Sequence, residues 1–280
     1  MKSSLLLLLT VFALAVTGRS APIKDPDAVL KDLYARQQTL FAAAEKEDPN
    51  FDMDGFRTSM QQLVNEYDLL LKDHPAYAPA YVAYGLLLSR IDMRKEGATM
   101  LLRANQLDNG IPIVKNQLGN YLAEEGKPLE AANYFLSAIE LAPKEPLYHY
   151  QLGTLLTEAR DDFLQSGQWT RESVDKAMHS AFRQAMELAP DSVAYAYRFG
   201  ESFYDLENPD WDEALEFWRS LELKVSPGVE KQTIRLHQAN ILIKDEEPAA
   251  AQKLLETVTE EVLQKQKQAL LQQLKPAADS

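Results

Sequence analysis

The apolar residues of this chain recur mainly at intervals of three and four, which is the spacing of one helix face. Between Pro112 and Glu145 this pattern predicts two amphipathic helices joined by a tight turn at Gly126-Lys127-Pro128. Similar helical patterns precede and follow that stretch. The sequence therefore predicts an all-α fold.

The small and apolar residues of this helical hairpin return at a fixed interval. Gly85, Gly119 and Gly153 are each 34 residues apart, and so are Leu101 and Phe135. A period of this length is typical of a solenoid, in which each hairpin packs only on its neighbours.

Small residues at such positions let two helix axes approach closely. Within the hairpin we expect Gly119 of the first helix to face Ala131 of the second. Phe135 is then expected to fill the space toward the next repeat.

The hairpin resembles the tetratricopeptide repeat (TPR), a helix-turn-helix unit with the same period. The family's motif residues fall on Leu118, Gly119, Leu122, Ala131, Phe135, Ala138 and Pro143. Lys115 stands where the motif has a large aromatic residue, whereas the preceding repeat has Tyr81 there. The resemblance implies a right-handed α-α superhelix of about five to six hairpins, closed by a C-terminal capping helix.

These patterns divide the chain into four segments. We expect a signal peptide at 1–20, a degenerate first repeat at 21–77, the TPR array at 78–258, and a capping helix with a tail at 259–280. The apolar pattern after the last repeat continues as helix to Lys275 with one polar face. That face suits a helix that closes an array, and a coiled-coil or oligomer contact is the alternative interpretation.

Two local features interrupt the repeat pattern. The fourth repeat carries an insertion between its helices, at about 158–171. It is either a protruding element that contacts a partner, or a longer first helix with a turn at Ser166-Gly167 and Trp169 packed as a plug. In the fifth repeat, Pro209 suits the first position of the second helix and Asn208 its N-cap.

The first residues have the pattern of a secretory signal. Lys2 precedes an uncharged run from Ser3 to Gly18, and Arg19 ends it. The run has 16 residues, fewer than the roughly 20 that a membrane-spanning helix needs. We therefore expect export to a periplasmic or secreted location, with no stable membrane span after cleavage. A retained N-terminal membrane anchor is the alternative.

Composition and charge narrow the possible functions. Of the residues, 46% are hydrophobic, which suits a folded chain, and the net charge of −13 with no basic run argues against a nucleic-acid partner. Without cysteine the chain forms no disulfide. The four histidines have no paired ligand spacing, and no catalytic or nucleotide-binding motif is present. We expect no enzymatic activity, no metal and no cofactor.

The TPR resemblance also implies a binding surface. In that family, set positions of each first helix line a concave groove. Carried over residue by residue, they are Arg90, Asn116, Asn120, Glu124, Tyr150, Thr154, Glu158, Tyr197, Glu201, Asp205 and Asn240.

The residue types in this set indicate the kind of ligand. Asparagine and tyrosine side chains can hydrogen-bond an extended backbone. Glu124, Glu158 and Asp205 form an acidic stripe, which favours a partner of basic or polar character. The predicted function is a non-catalytic scaffold that holds an extended peptide or partner protein in the groove. The alternative is a structural or assembly role that uses the insertion and the C-terminal helix.

Overall fold

The computed structural model describes residues 25–46 and 51–274. Throughout these residues the chain forms α-helices, short 3-10 turns and loops, with no β-strand, which confirms the all-α prediction. The predicted signal peptide lies outside the described residues. The chain divides after Pro143 into two compact units, named unit 1 and unit 2.

Within its described residues, unit 1 consists of six helices that pair in chain order into three hairpins. The helices are α1 (Pro26–Ala44), α2 (Met53–Asp73), α3 (Ala78–Arg90), α4 (Arg94–Leu107), α5 (Pro112–Glu124) and α6 (Pro128–Leu141). The last of these helices begins at Pro128, the final residue of the predicted turn.

The first hairpin of unit 1 is built around apolar residues of both its helices. Phe41 of α1 packs in one buried cluster with Met60 and Leu63 of α2. Tyr67 of α2 stacks on Tyr84 of α3, with ring centroids 5.1 Å apart. Because most of the stability of a protein helix comes from tertiary packing of its apolar face, these contacts hold the degenerate first repeat as a hairpin.

Within its described residues, unit 2 contains three further hairpins and two additional helices. The paired helices are α7 (Pro146–Glu158) with α9 (Arg171–Leu188), α10 (Val193–Ser202) with α11 (Trp211–Glu222), and α12 (Val229–Lys244) with α13 (Pro248–Glu256). The additional helices are α8 (Arg160–Gln165) in the insertion and α14 (Gln264–Gln273) at the end. The predicted number of five to six hairpins is confirmed.

Three hairpins close with the same turn, in which one residue adopts the left-handed conformation. Gly126 has φ of +71° between α5 and α6, where the backbone N–H of Lys127 donates to the Leu122 carbonyl at 2.9 Å. Asp92 and Glu246 take the same position in the α3–α4 and α12–α13 turns, with φ of 68° and 59°. The turn at Gly126 lies where the sequence predicted it.

In four of the described hairpins the helix axes approach closely at a glycine. A Cβ atom at Gly119 would lie 2.7 Å from Phe135 Cε1, so the phenyl ring covers this glycine. Gly153 has the same relation to Phe182, at 2.8 Å. Phe135 was expected to fill the space toward the next repeat, and this is wrong, because its ring covers the glycine of its own hairpin.

The insertion in unit 2 folds as a separate short helix and a turn. α7 ends at Glu158 and α8 begins at Arg160, so the first helix is not simply longer. Gly167 has φ of +71°, which places the turn where the sequence predicted it. Phe163 is the buried plug, at 1% exposure, and Trp169 packs half-buried against it with ring centroids 5.5 Å apart.

Two arginines fasten the insertion to the rest of unit 2. Arg160 Nε lies 3.3 Å and Arg171 Nε 2.8 Å from the carboxylate of Asp175, which is buried. Both guanidinium groups also donate to the backbone carbonyl of Asp205, at 3.1 and 2.8 Å. The same Asp175 carboxylate accepts from the Glu207 N–H at 2.8 Å. These bonds join α9 to the segment between α10 and α11.

The start of α11 differs from the prediction. The helix begins at Trp211, and Asp210 is its N-cap. The Asp210 carboxylate accepts from the backbone N–H of Glu213 at 2.9 Å. Asn208 and Pro209 precede the helix, because the aspartate closest to the first turn supplies the acceptor that its free N–H groups need.

The sequence predicted that the last repeat continues as helix, but the chain breaks between α13 and α14. The side-chain carbonyl of Gln232 in α12 accepts from the backbone N–H groups of Thr259 and Glu260, at 2.6 and 2.8 Å. α14 then packs Leu270 against the buried cluster that contains Leu255. The capping helix is therefore a separate element that lies on the final hairpin.

Candidate functional site

The predicted groove residues of unit 1 are largely engaged in internal contacts. The Arg90 guanidinium lies 3.7 Å from the centroid of the Phe41 ring and donates to Glu45 at 2.6 Å. Glu124 pairs with Arg94 at 2.7 Å. Both groups belong to ion pairs that are partly exposed, so a ligand in unit 1 has to compete with an existing partner.

Asn116 does not line a groove, and this prediction is wrong. Its side chain is fully buried, and neither amide atom has a hydrogen-bond partner among the described residues. α5 is buried at Val114 and Leu118 as well as at Asn116, and these positions lie on more than one side of the helix. Asn120, one turn later, is half-buried.

Unit 2 presents its predicted residues differently. Three first helices, α7, α10 and α12, and the 3-10 turn after α10 carry seven of them, and none of the seven is buried. We call this set the first-helix face: Tyr150, Thr154, Glu158, Tyr197, Glu201, Asp205 and Asn240.

Direct contacts bring the helices of the first-helix face together. The Tyr150 ring of α7 lies 5.2 Å from the Tyr195 ring of α10. Arg198 of α10 donates to the Thr157 hydroxyl of α7 at 2.9 Å. The Tyr197 hydroxyl donates to a backbone carbonyl at the start of α12 at 3.3 Å. These contacts fix the spacing of the three helices.

An aromatic cluster stiffens the face between α10 and α12. The His237 imidazole stacks on the Trp218 indole with centroids 4.1 Å apart, and the Tyr204 hydroxyl donates to the His237 carbonyl at 3.2 Å. Burial lowers the pKa of His237 to about 4 and raises that of Tyr197 to about 12. At neutral pH the cluster is therefore uncharged, and the Tyr197 and Tyr204 hydroxyl groups both donate to backbone carbonyls.

The acidic residues of the face fall into two groups. Asp205 pairs with Arg198 at 3.2 Å. Glu158 and Glu201 form no ion pair with any residue that the structure describes, and Glu158 is exposed. Sequence reasoning did not assign Arg198, although its spacing of seven residues before Asp205, two helical turns, is a signal that could have found it.

In ranges 25–46 and 51–274, no helix is both long and apolar enough to span a membrane. The same residues contain no group of three or more His, Asp or Glu side chains arranged to hold a metal ion.

Comparison with known proteins yields matches among solved structures alone. No protein-family model matches the chain, and no curated protein matches it. YrrB, described as a TPR protein with an unusual peptide-binding site, matches with a TM-score of 0.60 and 16% identity over 74% of this chain and 97% of its own. PilF of Pseudomonas aeruginosa matches with a TM-score of 0.55 and 15% identity over 89% and 99%.

A third match is the structure of Naa15/Naa10 bound to HypK, with a TM-score of 0.54 and 15% identity over 87% of this chain and 34% of that one. These identities are low, so the likeness defines the fold. The fold is an α-solenoid of helical hairpins. More particularly, it is the TPR solenoid fold that the repeat pattern predicted.

Proposed function

We propose that this chain is a non-catalytic protein-binding scaffold, and that the first-helix face of unit 2 holds an extended peptide of basic or polar character. The observation that carries the proposal is that none of the seven predicted residues on that face is buried. Hydroxyl, amide and carboxylate groups there can pair with a peptide backbone and with basic side chains. The fold shared with YrrB, a TPR protein with a peptide-binding site, supports the same proposal.

The charge preference rests on two residues of the predicted stripe. Glu124 and Asp205 are neutralised by Arg94 and Arg198. Glu158 and Glu201 keep their charges without an ion-pair partner in the described chain. A lysine or arginine of the peptide would therefore have its most favourable electrostatic interaction beside these two glutamates.

Affinity capture with a charge-reversed face tests the proposal. The chain is immobilised as wild type, as Glu158→Lys/Glu201→Lys, and as the control Glu130→Lys/Glu256→Lys, whose residues are exposed on second helices. We expect the wild type and the control to retain the same partners from cell extract, identified by mass spectrometry. The first variant should lose them. Equal capture by all three would remove the first-helix face from the proposal.

The assembly role remains the alternative proposal, and its two elements have internal contacts in unit 2. Phe163 of the insertion is buried, and Leu270 of α14 packs on the last hairpin. Light scattering separates the two functions. A monomer at micromolar concentration supports the scaffold, and a stable oligomer that dissociates on substitution of the exposed Val262 supports assembly.

We also propose that the chain is exported, on the strength of the apolar run between Lys2 and Arg19. N-terminal sequencing of protein recovered from cells tests this. A start after Gly18 or Ser20 is the expected result. An intact Met1 in the membrane fraction would instead support the retained anchor.

A further inference from the structure

A second surface of unit 2 is a groove along α9 and α11, here named the α9–α11 groove. It contains two cavities, of about 460 and 300 Å³, that share Arg183 in their walls. The first is bounded by α9 and residues 206–208, and the second by α9, Phe199 and α11. No residue of the first-helix face lines either cavity, so the groove is independent of the function proposed above.

Aromatic rings form the floor of the groove. The ring centroid of the buried Phe199 lies 4.9 Å from that of His179 and 4.8 Å from that of Phe217. Burial and the nearby Arg183 guanidinium lower the pKa of His179 to about 4, so this ring is neutral at pH 7. Met186 lines the second cavity beside Phe217. An apolar side chain can enter here without burying an unpaired charge.

Carboxylates dominate the rim of the second cavity. Glu187, Glu213 and Glu216 line it, and Arg183 is the cation that faces them. Arg183 already pairs with Glu213, at 2.7 Å. Glu187 and Glu216 form no ion pair with any residue that the structure describes. The rim therefore carries negative charge that the protein itself does not neutralise.

We propose that the α9–α11 groove binds a segment of a partner protein in which an apolar side chain is flanked by lysine or arginine. The apolar side chain rests on Phe217 and Met186, beside the Arg183 guanidinium, which lies 5.2 Å from the centroid of the Phe199 ring. The flanking cations pair with Glu187 and Glu216. Charge complementarity selects this occupant, since an acidic segment or a nucleic acid would place like charges against the rim.

Arg183 sets the strength of this binding. It reaches from α9 to Glu213 on α11 and stands between the two cavities. A cationic ligand therefore competes with Arg183 for the Glu213 carboxylate. Neutralising Arg183 should strengthen binding, which is the opposite of what general damage to the fold would produce.

Fluorescence anisotropy with a labelled peptide tests the proposal. The probe carries one leucine with two lysines on each side, and its counterpart has glutamate in place of each lysine. We expect Glu187→Gln/Glu216→Gln to weaken binding of the lysine probe by about tenfold, from two partly exposed charge pairs. Arg183→Gln should tighten it by about threefold. The glutamate-to-glutamine changes keep side-chain shape, whereas Arg183→Gln shortens the side chain, and circular dichroism checks that both variants keep their helices.

Two controls locate the site. Glu130→Gln/Glu256→Gln removes exposed charges elsewhere and should leave the affinity unchanged. Glu158→Lys/Glu201→Lys should also leave it unchanged, because those residues belong to the first-helix face. The proposal is overturned if the wild type fails to bind the lysine probe, if it binds the glutamate probe equally well, or if Glu187→Gln/Glu216→Gln has no effect. Loss of lysine-probe binding in Glu158→Lys/Glu201→Lys would show that the probe binds the first-helix face instead, and would also overturn the proposal.

Discussion

Gly119→Ala tests the close approach of α5 and α6 most directly. The new Cβ atom would lie 2.7 Å from Phe135 Cε1, 2.8 Å from Cδ1 and 3.1 Å from Cζ. Phe135 is 2% exposed, so its ring has no open space into which it can retreat. Overpacking of this kind costs about 1–3 kcal/mol. Alanine offsets about 1 kcal/mol through its higher helix propensity, which leaves a net loss of up to about 2 kcal/mol.

Phe135→Leu, alone and combined with Gly119→Ala, measures the energy of the same contact. Phe135→Leu alone removes part of the ring and should cost roughly 1–2 kcal/mol. In the double variant the alanine methyl group occupies space that the ring has left. The two losses should therefore not add, and the double-mutant cycle should give a favourable coupling of about 1–2 kcal/mol.

Urea unfolding followed by circular dichroism measures the four members of the cycle. Gln117→Ala on the same helix is the control, and we expect it to stay within about 0.5 kcal/mol of the wild type. The reasoning is refuted if Gly119→Ala is more stable than the wild type and its effect adds to that of Phe135→Leu.

Three further predictions concern other sites. Asn116→Leu should raise the free energy of unfolding by about 1–3 kcal/mol, because it replaces a buried amide that has no hydrogen-bond partner in the described chain. A lower melting temperature of this variant would show instead that the amide is paired. Glu246→Gly should stabilise the protein by up to about 1 kcal/mol, because glycine adopts the left-handed conformation at φ of 59° without strain. Asp92→Gly should stabilise it less, because this change also removes an ion pair of 2.9 Å. The midpoints of urea unfolding should show the same ranking. Burial lowers the pKa values of His179 and His237 from 6.5 to about 4, so the unfolded chain takes up protons before the folded one as the pH drops. The free energy of unfolding should therefore fall between about pH 6.5 and pH 4, by up to about 1.4 kcal/mol per pH unit for each histidine. A pH series of unfolding curves in which His237→Gln fails to flatten this slope would contradict the prediction.

Features that depend on local periodicity could be predicted from the sequence. The turn at Gly126 follows from adjacent residues, and the hairpins follow from a pattern repeated every 34 residues, as at Gly85 and Gly119. The break after α13 could not be predicted in this way. It is held by Gln232, which lies 27 residues before its partner Thr259, and spacing within one helix carries no signal for such a bond.

The binding surface was predicted less completely for a related reason. A repeat position shows which residues share a helix face but not how deeply the face is covered, so the sequence did not distinguish the buried Asn116 from the half-buried Asn240. Charge is visible in the sequence, whereas pairing is not. Glu124 and Arg94 stand 30 positions apart, and their ion pair exists because α4 and α5 lie side by side.

The bonds around Asp175 also bear on how unit 2 comes apart. In a simple solenoid each hairpin can peel away from the end, since it touches only its neighbours. Here Arg160, the first residue of α8, and Arg171, the first residue of α9, both donate to the Asp205 carbonyl, which follows the next first helix. The α7–α9 and α10–α11 hairpins are thereby cross-braced, and their slowest-exchanging amide hydrogens should open together as one cooperative block.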